Sequence, residues 1–164
     1  MSRPPLIAVC GASQASDAEY RRAYECGALL AQRGATVLNG GLTGVMAASA
    51  AGVAAAGGIC VGLLPGADVG AADDAVTIAL PTGMGEMRNA LIARCAAAMI
   101  AIGGGWGTLT EIAFAVRLGR PVALLDAWEL RAPHGDEAGA EMHRAASVPD
   151  AVDWVMSRVA LVER

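Results

Sequence analysis

The sequence predicts a doubly wound α/β sheet, mostly parallel, of six or seven strands with helices on both faces. Three observations predict it. Short apolar runs alternate with helix-length segments from Leu6 onward, and most of these runs end in glycine. The chain is 55% hydrophobic but only 4% aromatic, with 21 glycines, so its core must be aliphatic and closely packed. At 164 residues it is long enough to bury such a core as one unit, residues 1–164.

Leu6 to Cys10 reads as the first strand, ending in Gly11-Ala12-Ser13. Ser16-Asp17-Ala18-Glu19 has the spacing of a capping box, so a helix should start there and stop at Gly34. Ala35 to Leu38 is the second strand, followed by Asn39-Gly40-Gly41-Leu42-Thr43-Gly44 and an alanine-rich helix from Val45 to Ala56. Ile59 to Leu64 is the third strand, closed by Pro65-Gly66. Val76 to Leu80 is the fourth, followed by a helix from about Glu86 to Cys95 and a buried fifth strand, Ala98 to Ile102. The turn Gly103-Gly104-Gly105-Trp106-Gly107-Thr108 then opens a helix that ends before Gly119-Arg120-Pro121. Val122 to Leu125 is the sixth strand. Residues 128–146 are polar and read as a loop with a short edge strand near Met142 to Ala145; Ser147 and Pro149 open a last amphipathic helix. This is a single Rossmann-like domain.

In such a sheet, ligands sit beyond the carboxyl ends of the strands. Four of those ends carry glycine: Gly11, the Gly40, Gly41 and Gly44 turn, the Gly83 and Gly85 turn, and Gly103 to Gly107. Glycine lets main-chain N–H groups at a helix start face a phosphate without a side chain in the way. Convergence of those loops on one rim makes a phosphorylated small molecule the expected ligand.

Several chemistries are disfavoured. All twelve Lys+Arg residues are arginine, so no lysine exists for a pyridoxal phosphate Schiff base or a Walker A loop. The net charge of −4 and the lack of a basic run argue against nucleic acid. No GxGxxG follows the first strand, and the second ends in Asn39 rather than an acid, which disfavours NAD. His134 and His143 form no metal-binding pattern, and no metal is expected. Cys10, Cys26, Cys60 and Cys95 form no CxxC pair and read as small hydrophobes in a reduced cytoplasm. The uncharged stretch 40–67 is cut by Gly57-Gly58 and Pro65-Gly66, so no membrane span is expected.

The glycine and arginine pattern resembles the LOG ("lonely guy") family of nucleoside 5′-monophosphate phosphoribohydrolases. Its GGxxGxM turn is matched by Gly40, Gly41, Gly44 and Met46, and its PGGxGTxxE turn by Gly104, Gly105, Gly107, Thr108 and Glu111. The arginine of its Arg-Lys pair falls on Arg88. Asn89 replaces the lysine, and Gly103 replaces the proline. Those two departures are similar instead to the DprA/Smf-related family 2 branch, which includes molybdenum cofactor carrier proteins.

The resemblance implies two activities for one pocket. In the first, the chain is a carrier whose cargo is the molybdenum cofactor, a phosphorylated pterin. In the second, it hydrolyses a nucleoside monophosphate to base and ribose 5-phosphate with Arg88 and Glu111 catalytic. Asn89 in place of a cation favours the first. A third reading, single-strand DNA binding through the DprA-like core, would need a basic groove that the composition does not announce.

Each site residue has a plainer alternative. Thr108-Leu109-Thr110-Glu111 is itself capping-box spacing, so Glu111 is either a cap or a carboxylate beside a ribose. Arg88 either grips an anion or pairs with Glu86 or a neighbouring chain. Arg94 points elsewhere on the same helix and reads as structural. Ser13 either donates to a phosphate or shapes its turn, and Trp106 either stacks on a flat ring or packs at a subunit contact. Helices this rich in alanine should leave apolar surface over, which implies a homo-oligomer, a dimer or a dimer of dimers.

Overall fold

The computed structural model describes residues 3–130 and 141–162. Seven parallel strands form one sheet: β1 Leu6–Gly11, β2 Thr36–Asn39, β3 Cys60–Leu64, β4 Ile78–Pro81, β5 Ala98–Ile102, β6 Val122–Leu125 and β7 Met142–Arg144. Their order across the sheet is β4-β3-β2-β1-β5-β6-β7. The chain therefore winds outward from β1 in one direction and then crosses back to continue from β5 in the other. The β1/β5 boundary, where Gly11 lies opposite Ile102, is the switch point at which such sheets open a crevice.

Five helices cover the sheet: α1 Asp17–Gln32, α2 Val45–Ala55, α3 Arg88–Cys95, α4 Trp106–Arg117 and α5 Val148–Val162. Side chains of β1 alternate between two cores, as strand geometry requires. Ile7 and Val9 join the core under α1, α2 and α5, while Ala8 and Cys10 join the one under α3 and α4. Helix α2 is apolar on every side, and its outer face is covered by α1. A Cβ on Gly52 would stand 1.9 Å from the Tyr24 carbonyl oxygen, and one on Gly27 would stand 2.1 Å from that of Ser49. Small residues thus let two backbones touch, which removes much of the spare apolar surface the alanine content implied.

The predicted elements appear with shifted ends. The α1 capping box is present, with the Ser16 backbone N–H donating to Glu19 at 2.8 Å and the Glu19 N–H to the Ser16 hydroxyl at 3.3 Å. Strand β4 starts at Ile78 rather than Val76, because Asp73 and Val76 close a turn and Thr77 spends its hydroxyl on the Cys60 N–H. A 3-10 turn, Gly85–Met87, precedes α3, so Arg88 begins the α-helix proper. The edge strand near residue 142 is real and pairs in parallel with β6. His134 lies outside the described residues, and His143 bonds Asp150 at 3.0 Å and stacks on Trp154. Of the cysteines, Cys10, Cys26 and Cys60 are buried and Cys95 is exposed. No helix among the described residues is long and apolar enough to cross a membrane.

Candidate functional site

At the switch point the ends of β1 and β5 and the starts of α2, α3 and α4 surround a cleft of about 480 Å³. Arg88, Glu111, Gly11, Ser13, Met46, Gly105, Trp106, Gly107 and Thr108 line it, joined by Glu86 and Asn89. Nine of the predicted site residues therefore share one wall-to-wall space. The other five, Gly40, Gly41, Gly44, Gly103 and Gly104, stand behind the wall and shape it.

Gly40 makes room for Arg88. A Cβ there would lie 2.1 Å from Arg88 Nη1 and 2.5 Å from the Met46 sulfur, so only hydrogen permits the guanidinium to lie across the end of β2. The Gly41 N–H is spent on the Asn39 side chain at 2.8 Å, and Asn39 in turn donates to the Met46 carbonyl at 2.9 Å, which fixes the start of α2. Gly44 precedes that helix with φ of +66°, a left-handed conformation pressed against Ala12 and Ser13.

Gly103 and Gly104 are occupied from within. Both have positive φ; the Gly103 N–H is spent on the Leu125 carbonyl at 3.0 Å, the Gly104 N–H turns toward α1, and the Glu19 carboxylate lies where a Gly103 Cβ would go. Hydrogen bonds from Ser16 and from the Gly104 backbone hold Glu19 below the usual carboxylate range. One turn further along α1, Arg22 pairs with Asp126 at 2.7 Å. Helix α1 thus clamps the β5–α4 turn, and the part of that turn left open to the cleft is its C-terminal half, Gly105 to Thr108.

That half carries free donors. Helix α4 begins at Trp106 with Gly105 as its cap and no side-chain capping bond, so the expected Thr108–Glu111 capping box does not form. The reason is register: the cap falls three residues earlier, on Gly105, putting Glu111 in the second turn, facing the cleft. Helix α2 likewise starts without a side-chain cap. The first N–H of α2, on Val45, is spent on the Ala12 carbonyl at 3.0 Å, so α2 brings mainly the partial positive charge of its N-terminus, while α4 adds uncapped N–H groups as well.

Arg88 adds a full charge. Only 8% exposed, it donates through Nη1 to the Leu63 carbonyl at 2.7 Å, and its Nε is sealed from solvent with no partner among the described residues. Burial weakens its hold on its proton, and the nearby Glu111 charge opposes that. The expected pairing of Arg88 with Glu86 is not present among the described residues; Arg94 is exposed, as its position round the helix implied.

Burial pushes the Glu111 carboxyl up to about 7, against a thiol hydrogen bond from Cys10 and the Arg88 charge, which both favour ionisation. Its own burial, and then the same carboxyl, push the Cys10 thiol well above its ordinary value. Because the folded value for Glu111 exceeds the unfolded one, the fold holds a proton that the unfolded chain has released. Stability should therefore fall as pH rises from about 4.5 to about 7, by roughly 3 kcal/mol, and stay flat above. Urea unfolding of Glu111→Gln across that range is expected to lack this slope; an unchanged slope would place the titration elsewhere.

Asn89 bonds the Thr110 hydroxyl at 3.1 Å and ties α3 to α4 instead of supplying charge. Trp106 is 75% exposed at the cleft mouth. Trp128 backs it with ring centroids 5.1 Å apart, and donates through Nε1 to the Gly105 carbonyl at 3.2 Å. Trp128 and Glu19 are the supporting residues that sequence reasoning missed. Only the capping-box spacing hinted at Glu19, and it gave no sign of the carboxylate's second role.

The family model for the SLOG cluster4 family matches residues 4–152. An uncharacterized protein of Archaeoglobus fulgidus is 43% identical over 119 residues, 73% of this chain and 78% of its own length. Among solved structures, the molybdenum cofactor binding protein of the phototrophic bacterium Rippkaea orientalis superposes with a TM-score of 0.87 at 32% identity, covering 97% of this chain and 99% of that one. The molybdenum cofactor carrier protein of Chlamydomonas reinhardtii does so with a TM-score of 0.85 at 33% identity, covering 96% and 99%. DNA processing protein A of Helicobacter pylori, at 13% identity, TM-score 0.68 and coverage of 95% and 82%, shares the fold alone.

Proposed function

The chain belongs to the SLOG cluster4 family, and from that premise we propose that it binds the molybdenum cofactor as cargo in the switch-point cleft. The observation that carries this reading is the buried Arg88, whose Nε has no partner among the described residues, set beside two helix N-termini that lack side-chain caps. A cation with unspent donors in a largely dry wall is costly unless an anion completes it. The phosphate of the cargo sits against Arg88 and the first N–H groups of α4, with Ser13 opposite. The pterin lies against Trp106, the flat exposed face nearest those donors. Molybdenum is part of the cargo, and no protein ligand to it is assigned.

Titration with a phosphorylated pterin tests this reading. Quenching of Trp106 fluorescence is expected, and Trp106→Ala should weaken binding about tenfold or more, the worth of one lost stacking contact. Equal affinity in that variant would remove the ring from this wall.

One observation favours a second reading. Glu111 stands in the cleft with a proton affinity suited to acid–base work near neutral pH. Should the chain cleave nucleoside monophosphates, Glu111→Gln would abolish release of free base while leaving binding near normal; for a carrier, the wild type releases none.

A homo-oligomer belongs to this proposal. Ile78 and Leu80 on edge strand β4, with Met84 and Met87 after it, are exposed and offer an apolar face to a second copy.

A further inference from the structure

We propose that the opposite end of the sheet carries a second anion site, specific for a small organic phosphate or carboxylate with an apolar body. It is independent of the cargo reading above. Arg3, Arg120 and Arg158 line a hollow of about 410 Å³ there, beneath the N-terminal ends of β1, β5 and β6. Among the described residues no carboxylate lines it, although the chain as a whole has sixteen acids against twelve arginines. Arg158 is paired with Glu141, whereas Arg3 and Arg120 have no carboxylate partner among the described residues, so two uncompensated cations share a concave space in a chain of net negative charge.

Two of the three are held in place before any ligand arrives. Arg120 donates through Nη2 to the Arg94 carbonyl at 3.1 Å, while its Nε is sealed from solvent without a partner. Arg158 faces Glu141 through Nε at 2.5 Å and lies over the Trp154 ring at 5.2 Å. Arg3 has no ion pair among the described residues. A purely structural role, neutralising helix C-termini at this end, accounts for the one bond from Arg120 to Arg94. It leaves Arg3 and the remaining donors of Arg120 unspent among the described residues.

The rest of the wall selects the ligand's shape. Pro4, Pro5 and Pro121 present no N–H, and Ala97 and Val159 add further apolar surface. Recognition of the charged end therefore falls to the guanidinium forks, which suit the paired oxygens of a phosphate or carboxylate. The body of the ligand rests on proline and aliphatic carbon.

Calorimetric titration with phenyl phosphate tests the site. The wild type is expected to show a binding event that Arg88→Met, at the other end of the sheet, leaves intact. Arg3→Gln and Arg120→Lys should each weaken that event about tenfold, the loss expected for a charge-assisted hydrogen bond. Arg3 is exposed and makes no side-chain bond among the described residues, so its variant should fold normally and keep the test valid if Arg120→Lys is unstable. A single event per chain that Arg88→Met abolishes would overturn the proposal, as would an event that neither basal variant alters.

Discussion

Arg88→Met is expected to lower cargo affinity by about a hundredfold or more, while leaving the fold at least as stable as the wild type. The affinity loss follows from removing a fork of charge-assisted donors, each worth roughly 1.5–3 kcal/mol. The stability result follows from the same burial. Arg88 is 8% exposed, and among the described residues its Nε is unpartnered and its one hydrogen bond is to the Leu63 carbonyl. Replacing such a cation by an apolar chain of similar length is often neutral or stabilising. A residue kept for packing would behave oppositely, losing stability and sparing affinity. Arg88→Lys should fall between, with about a tenfold loss, because it keeps the charge without the fork. Affinity measured beside urea unfolding separates these outcomes.

Gly40→Ala is expected to act on binding through the same guanidinium. The added methyl would lie 2.1 Å from Arg88 Nη1 and 2.8 Å from its Cζ, so the fork must move. An affinity loss of about tenfold or more is expected, with roughly 1–3 kcal/mol of destabilisation from overpacking. The decisive feature is coupling. In an Arg88→Met background the same methyl has no fork left to displace, so the two affinity losses should fail to add by about 1 kcal/mol or more. Strict additivity would show that Gly40 serves the turn and not the arginine.

Much of this was legible in the sequence, for physical reasons that differ from element to element. Leu6 to Cys10 and Ala98 to Ile102 are short apolar runs that each end at a glycine, and their length and lack of polar residues left one reading. The end of α4 was equally plain, because Gly119 and Pro121 cannot continue a helix. Its start was not. Thr108 and Glu111 have the spacing of a cap, but spacing cannot say that Gly105, without a side chain, would take the cap position three residues earlier. The cleft was inferred from strand ends that carry glycine, and nine of its lining residues were named in advance.

What the sequence concealed was which glycines face the ligand. Gly103 and Gly104 look like phosphate-cradling residues, yet a carboxylate from α1, Glu19, already fills their hollow. Asn89 read as a missing cation, whereas its side chain bridges to Thr110. Both facts depend on contacts between residues far apart in the chain, and neither has a local signature. The buried state of Arg88 was hidden for the same reason, since it rests on the absent side chain of Gly40.

The most direct test is mass spectrometry of the small molecule released when the purified protein is denatured, in the wild type and in Arg88→Met. A phosphorylated pterin released by the wild type and absent from the variant is the expected result. Release of a purine nucleotide instead, or of a pterin retained equally by both proteins, would contradict the account.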